Sequence, residues 1–449
     1  MGGAGPQASG PAVWAWVFYD LANTIFAVSI LSFFFPLWIE ERVGSGVFLS
    51  APSLVNGATA VSALLVVVSA PLFGAVADLR QRRVSYLAVL TVVSVALTAA
   101  LDVAGGILVG LALFVAADLA YQSALVFYNA LLPAVSAGRG AGKVSGYGTA
   151  AGYVGSIIAL VVLTYFVESG GALRPLLGPL GGWLETGSGA NSNAFLPTAV
   201  LYLLFSLPAF FLVPDPAVRA PRPVSPGAAY RDVARTLRNL RDYSGVGTFI
   251  LATVLYTDAA NTAIANMALY GRVVFEMDNT EVRNLLLFST VFAVVGSAAF
   301  GFLCDRFGPK KTLLAVLVLW FVAIVTAAGA LGAWMLFLAG PVVGIALGGM
   351  WTVGRVMLVA LSPPEKLGEF FGLFSLAGKV SAIFGPALTV VLLFAFGGGA
   401  VAYRLSIGSL AVVMAFGIFF LLRVPDARPK APNGAPLDSP GAGAEDVGR

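Results

Sequence analysis

Residues 13–39 read VWAWVFYDLANTIFAVSILSFFFPLWI, and residues 246–270 read VGTFILATVLYTDAANTAIANMALY. The first stretch runs 27 residues with Asp20 as its single charge. As a helix rising about 1.5 Å per residue it reaches ~40 Å, more than the ~30 Å hydrocarbon core of a bilayer. The second stretch repeats its polar signature: Asp20-Leu-Ala-Asn23-Thr24 recurs as Asp258-Ala-Ala-Asn261-Thr262, an offset of 238 residues. Two apolar helices with the same acid, amide and hydroxyl at i, i+3 and i+4 imply a membrane chain built from two copies of one unit.

The remaining chain fits that reading. Of 449 residues 59% are hydrophobic and 11% charged, and the mean hydropathy is +0.91, which excludes a soluble globular protein. Twelve apolar segments fall at about 13–39, 50–77, 84–103, 106–133, 143–167, 194–213, 246–270, 283–304, 312–331, 333–361, 367–395 and 401–422. Backbone groups in lipid must be satisfied internally, which leaves helices or a closed barrel. These runs are too long and continuous for barrel strands, which alternate over about ten residues. The expected fold class is an all-α integral membrane protein with twelve transmembrane helices, arranged as two six-helix parallel pseudo-repeats.

Lysine and arginine set the orientation. With the N-terminus inside, inner segments hold 19 of the 26 Lys and Arg, outer segments five, and two, Arg355 and Lys379, lie within spans. This asymmetry places both termini in the cytoplasm, and the plasma membrane is the default address. The first apolar run is a span and not a cleaved signal peptide. The expected divisions are a flexible N-terminus at 1–12, a six-helix bundle at 13–213, an inner linker at 214–245, a second bundle at 246–423 and a disordered tail at 424–449. The linker opens with Pro214, Pro216, Pro221, Pro223 and Pro226, then reads YRDVARTLRNLRDY. Its Tyr230, Val233, Leu237 and Leu240 share one face, which predicts a short amphipathic helix, either in the inner interface or solvated.

Two further matches support the repeat. Gly74-x3-Asp78 recurs as Gly301-x3-Asp305, an offset of 227, and Gly146 and Gly152 match Gly372 and Gly378, an offset of 226. Parallel repeats around a midplane site are a transporter architecture. The stretch Gly301-Phe-Leu-Cys-Asp305-Arg306-Phe-Gly308-Pro-Lys310-Lys311 resembles the loop motif of the major facilitator superfamily. Its first copy keeps Gly74, Asp78, Arg82 and Arg83 but has Gln81 where glycine is usual. More narrowly, four stretches resemble the autophagy-type vacuolar amino-acid effluxer branch and its bacterial relatives. They are Tyr19-Asp20-Leu-Ala-Asn23-Thr24-Ile-Phe-Ala, Phe127-Tyr128-Asn129-Ala-Leu-Leu-Pro133, Ser145-Gly146 through Gly152-Tyr153, and Glu369-Phe-Phe-Gly372 through Gly378-Lys379. The resemblance implies alternating access and a central cavity lined by spans one, four, seven and ten. It also implies a monomer carrying an amino acid or similar small metabolite outward. Gly74, Asp78, Arg82, Gly301, Asp305, Arg306 and Lys310 would form the gating motif, with the two aspartates latched to nearby arginines.

Ionisable groups inside spans cost at least ~2.5–3.5 kcal/mol each on insertion, so they tend to be paired, hydrated or functional. Here they are Asp20, Asp118, Asp258, Arg355 and Lys379. Three acids facing two bases allow two internal ion pairs and leave one carboxylate over. A carboxylate without a counter-charge in low dielectric holds a proton more readily than in water. In a chain without histidine, Asp118, Asp20 or Asp258 is therefore the expected proton carrier. Each acid heads a polar stripe: Asn23 and Thr24 with Asp20; Tyr121, Gln122 and Asn129 with Asp118; Asn261, Thr262 and Asn266 with Asp258. With Arg355 and Lys379 these residues form the candidate solute site, in which an arginine could hold a carboxylate by two parallel bonds and an aspartate an ammonium. The bland alternatives are that Asp20 and Asp258 cap helix bends and that Asp118 sits in a structural ion pair with Arg355 or Lys379.

Other chemistry is poorly served. One cysteine and no histidine leave no metal cluster and no imidazole, and no nucleophile–base set appears, so neither an enzyme nor a cofactor is expected. A net charge of +4 is a weak case for nucleic acid. The expected partners are the lipid bilayer, a small-molecule solute and protons. A uniporter or exporter of a greasier solute is the rival within the class, favoured by Trp351 near Arg355. A membrane receptor or scaffold that transports nothing is the rival outside it.

Overall fold

A computed structural model describes residues 8–43, 50–80, 82–168, 190–215, 231, 235, 236, 238, 243 and 245–427. Most of the linker helix and all of the tail beyond residue 427 lie outside them. Of the described linker positions, Arg231, Arg235, Thr236 and Arg238 are helical, while Pro214, Asp215, Tyr243 and Gly245 are not.

The described residues fold into twelve long helices: α1 (Gly10–Arg42), α2 (Ala51–Arg80), α3 (Arg83–Leu101), α4 (Ile107–Ala130), α5 (Ala141–Val167), α6 (Phe195–Leu212), α7 (Val246–Phe275), α8 (Asn279–Phe307), α9 (Pro309–Ala328), α10 (Ala333–Leu361), α11 (Leu367–Ala395) and α12 (Ala400–Leu422). Eleven are long and apolar enough to cross a membrane. The other, α7, is long enough at 30 residues, but its stripe from Thr253 to Asn266 makes it less apolar. The protein is a multi-pass, all-helical membrane protein.

Local chemistry explains the helix ends. Ser9 caps α1 by accepting the Ala12 N–H at 3.3 Å, so the helix begins inside the stretch expected to be flexible. Ala8 is tied down as well, donating to the Ala137 carbonyl at 3.2 Å and accepting from Arg139 Nε at 2.9 Å. Within α1 the backbone widens to a π-helix over Ala27–Phe34, just ahead of Pro36. Proline has no N–H to donate and crowds the carbonyl four residues back, and a π-bulge is one way a helix absorbs that misfit. A capping box starts α8: Glu281 N–H donates to Asp278 Oδ1 at 2.8 Å, and Asp278 N–H to Glu281 Oε2 at 3.0 Å.

The packing pattern occurs twice. In the first bundle α1 packs on α6, α2 on α4, and α3 on both α4 and α6. In the second, α7 packs on α12, α8 on α10, and α9 on both α10 and α12. The α8–α10 seam is the closest. A Cβ on Gly296 would strike the backbone of Ile345, and one on Gly348 would meet Ser297 Oγ at 2.5 Å, so only glycine admits these backbones.

The compact units cut across the chain. One holds residues 9–131 and 151–224; the other joins Leu132–Ala150 to the residues from 225 onward. The first part of α5 therefore travels with the second bundle, and the reason lies in its side-chain and backbone partners.

Candidate functional site

In the first unit the α1 stripe closes on itself. Asn23 Nδ2 donates to Asp20 Oδ1 at 3.2 Å, and Thr24 Oγ1 donates to the Asp20 carbonyl at 2.8 Å. All three sit on one face, as their spacing requires. A glycine of α5 comes up beside them: a Cβ on Gly152 would meet Thr24 Oγ1 at 2.8 Å. Just before the stripe, Trp16 donates its indole N–H to the Tyr128 carbonyl at 3.1 Å and stacks on the Tyr128 ring at 4.4 Å.

Asp118 on α4 is 2% exposed. It accepts from Ser62 Oγ of α2 at 2.5 Å and from Gln122 Nε2 one turn on at 3.1 Å. Of the other residues expected with it, Tyr121 packs into an aromatic group against Phe26 at 4.8 Å. Asn129 is half-buried, and its Oδ1 has no donor.

In the second unit Asp258 on α7 faces Gly385 of α11. Gly385 N–H donates to Asp258 Oδ1 at 2.9 Å, one residue before Pro386, which lies inside that helix. The carboxylate thus takes a main-chain N–H of a continuous helix just ahead of its proline. Thr262 lies alongside, and a Cβ on Gly385 would meet it and Asp258 Oδ2. The glycine that α11 presents to the α7 stripe is therefore Gly385. Gly378, matched to Gly152 by sequence offset, has open space where a Cβ would be. Asn266 bonds back to the Thr262 carbonyl at 2.9 Å. Asn261 is half-buried and has no hydrogen-bond partner among the described residues.

The cations do not take the partners that charge counting suggests. Arg355 of α10, 8% exposed, donates through Nη2 to the Ser145 carbonyl at 3.2 Å and to Thr149 Oγ1 at 2.5 Å, both on α5. Lys379 of α11 is half-buried, with no hydrogen bond or ion pair among the described residues. Asp118 and Asp258 likewise make no ion pair there. Neutral dipoles (a hydroxyl, an amide, main-chain N–H groups) hold what the expected internal ion pairs would have held. Each relieves part of the burial penalty without requiring a second desolvated charge.

The two loop motifs differ from each other. Asp78, at the end of α2, pairs with Arg83 at 3.2 Å, and both side chains are buried. Arg83 also donates to the Ala130 carbonyl at the end of α4 at 2.7 Å. The partner is Arg83, while Arg82, the expected one, is exposed at the start of α3. Gly74 is buried within α2. In the second copy Asp305 accepts the main-chain N–H of Gly142 at 2.6 Å and of Lys143 at 2.9 Å, capping the start of α5. The unsatisfied N–H groups and the dipole of a helix start favour an anion there. Gly140, at φ +87°, leaves the carboxylate room. Gly142, Gly146 and Gly301 bring α5 and α8 to backbone contact: a Cβ on Gly301 would lie 3.0 Å from the Gly146 Cα. With Arg355 these contacts explain why this part of α5 belongs to the second unit. Arg306 stacks on Phe307 at 5.3 Å, and Lys310 donates to the Leu422 carbonyl at the end of α12 at 3.1 Å.

Ser62, Ser145, Thr149 and Gly385 are thus site residues that the spacing of acids and amides did not reveal. Ser62 is a lone hydroxyl in an apolar run; Ser145 and Thr149, at i and i+4 among glycines, carried a faint signal.

The comparisons with known proteins bear on the family and the fold. The profile of the family described as "Vacuole effluxer Atg22 like" matches residues 139–432. An uncharacterised MFS-type transporter of Bacillus subtilis, YxiO, is 26% identical over 419 residues, covering 92% of this chain and 94% of its own. Autophagy-related protein 22 of Pyricularia oryzae is 27% identical over 175 residues, covering 36% of this chain and 26% of its own. Among solved structures, the major facilitator superfamily transporter FucP in its outward conformation superposes with a TM-score of 0.66 at 15% identity. That match covers 92% of this chain and 97% of FucP, and shows the shared fold.

Proposed function

Because the chain belongs to the vacuole effluxer Atg22-like family of major facilitator transporters, we propose that it exports an amino acid or similar small polar metabolite by alternating access, coupled to protons. The plasma membrane, with both termini in the cytoplasm, is the setting that the lysine and arginine distribution supports.

One observation carries the coupling. Asp118 is buried, and Ser62 and Gln122 are its hydrogen-bond partners. A hydroxyl can donate to a carboxylate or accept from a carboxylic acid, and an amide can do the same through its two ends. Such a shell serves both protonation states, whereas an arginine partner would favour only the charged one. Solute recognition would draw on groups with bonding capacity to offer: the Lys379 ammonium toward a carboxylate, and the Asn261 amide toward either end of a zwitterion. Asp20, Asn23 and Asp258 would shape the polar surface. Asp305 on α5 and Arg355 on Ser145 and Thr149 would be contacts that must break when the transporter changes state. Solute and proton would shift that equilibrium through their differential affinity for the two states.

The test is flux in proteoliposomes with each of the twenty amino acids, with and without a pH gradient. A coupling worth about 1–3 kcal/mol is ~5- to 150-fold in equilibrium terms, and Asp118→Asn should lose gradient-driven flux on that order. Solute counterflow, which needs no net proton movement, should persist. Normal proton-driven flux in the variant would refute the role given to Asp118. A second reading, uniport of a greasier solute, is favoured by Trp351, which is exposed four residues before Arg355 on the same helix face. Flux indifferent to the pH gradient in the unmodified protein would select it.

A further inference from the structure

The second bundle holds a cavity that transport as proposed does not use. It lies among α7, α8, α9 and α10, toward the Phe275 end of α7 and the Asn279 end of α8. It holds about 780 Å³ of free space, its open side included. Its α7 lining, Ala263, Ile264 and Met267, falls on the face opposite Asp258, Asn261 and Thr262 at about 100° per residue. No ionisable side chain lines it. Its two hydroxyls are engaged within their own helix, Ser289 to the Leu285 carbonyl at 2.8 Å and Thr290 to that of Leu286 at 2.9 Å.

One donor is not engaged. Trp320 lines the cavity and is fully buried, and its indole Nε1–H has no acceptor among the described residues. Burying a donor without a partner costs stability that a neighbouring acceptor would restore. At the equivalent end of the first bundle an apolar hollow also opens between α2 and α4, with Ser53 as its polar lining residue, while rings pack α1 against α4 and α6. Phe35 stacks on Phe114 at 4.2 Å, and Trp38 meets Phe195 edge-on at 5.9 Å. An apolar cavity with a buried donor at its wall is the makeup of a ligand site: apolar walls and one placed polar group.

We infer that this cavity binds an uncharged, largely apolar molecule carrying one hydrogen-bond acceptor, such as a carbonyl or ether oxygen, to which Trp320 Nε1–H donates. Leu286, exposed on the surface of α8, marks a lateral way in from the bilayer. The occupant would brace α7 and α10, the helices of Asp258 and Arg355, and so regulate transport from a site off the solute path.

Thermal midpoints of the full-length protein in detergent test this with two probes of the same shape, acetophenone and α-methylstyrene, which differ in a carbonyl. Both should raise the midpoint as ligands that bind the folded state do. Acetophenone should do so at a concentration ~2- to 10-fold lower, the value of one hydrogen bond. Trp320→Phe should erase that preference while both probes still bind. Val343→Phe, which fills the cavity, should abolish both shifts; if it does not fold, the Trp320→Phe comparison alone decides. Absence of any shift in the unmodified protein, or an undiminished preference in Trp320→Phe, would overturn the inference.

Discussion

Asp20 and Asp78 of the first copy of the repeat recur as Asp258 and Asp305 of the second, Asp118 has no counterpart, and the two copies hold their aspartates by different means. In the first copy side chains do it: Arg83 for Asp78, Ser62 and Gln122 for Asp118, Asn23 for Asp20. In the second copy the main chain does it: Gly142 and Lys143 N–H for Asp305, Gly385 N–H for Asp258. A side-chain shell can be altered by exchanging one residue, and it fixes a local charge. A main-chain shell depends on how closely two helices approach, so it reports on helix position. The first copy is thus suited to hold charge and the second to sense movement. The largest expected effect tests the charge half of this contrast. Arg83→Met removes the buried cation that pairs with Asp78 and should cost about 3–5 kcal/mol. Arg82→Met, one residue away and exposed, should stay within about 0.5 kcal/mol. Thermal unfolding in detergent would show the gap, and equal losses at 82 and 83 would remove the distinction.

Asp305 tests the movement half. Asparagine offers one acceptor oxygen where the carboxylate offers two, so Asp305→Asn strands a main-chain N–H at the start of α5 and should weaken that contact by about 1–3 kcal/mol. The single cysteine is a built-in reporter. Cys304 precedes Asp305, is 2% exposed, and its Cβ lies 2.9 Å from where a Gly142 Cβ would sit. Its modification by N-ethylmaleimide should be slow in the unmodified protein and ~5- to 150-fold faster in Asp305→Asn. Arg83→Met should leave the rate unchanged in protein that remains folded. A Cys304 rate unaffected by Asp305→Asn would mean that the α5–α8 contact does not depend on the carboxylate.

This contrast also marks how far the residues could be read in advance. Eleven of the twelve helices were legible because lipid demands long apolar runs, as at 13–39, and 246–270 was legible because it repeats the polar signature of 13–39. The repeat was legible because Asp-x-x-Asn-Thr was written twice. The partners were not. Charge arithmetic put arginine or lysine beside the buried acids, yet Asp118 went to Ser62, since a hydroxyl on a facing helix is as good a donor and less costly to bury. Gly385 could not be foreseen at all: every residue but proline carries a main-chain N–H, so such a donor has no letter of its own. Gly378 matched by counting, but the main-chain donor that Asp258 takes, Gly385, is seven residues farther on.

The smallest expected effect separates the two asparagines that made the repeat visible. Asn23 is committed to its own stripe, donating to Asp20 and accepting weakly from Thr24 Oγ1 at 3.4 Å. Its loss in Asn23→Ala should lower stability by about 1 kcal/mol, the net value of a hydrogen bond. Asn261 has no such partner among the described residues, so Asn261→Ala should leave stability within about 0.5 kcal/mol. If its amide serves the solute, the same change should raise the half-saturating concentration for flux by ~10-fold or more, as expected for a lost hydrogen bond to a charged group. Unfolding and flux measured on both variants separate the outcomes. Stability lost at Asn261 with no change in half-saturation would make it a packing residue like Asn23, and would leave Lys379 as the recognition group that the second bundle offers.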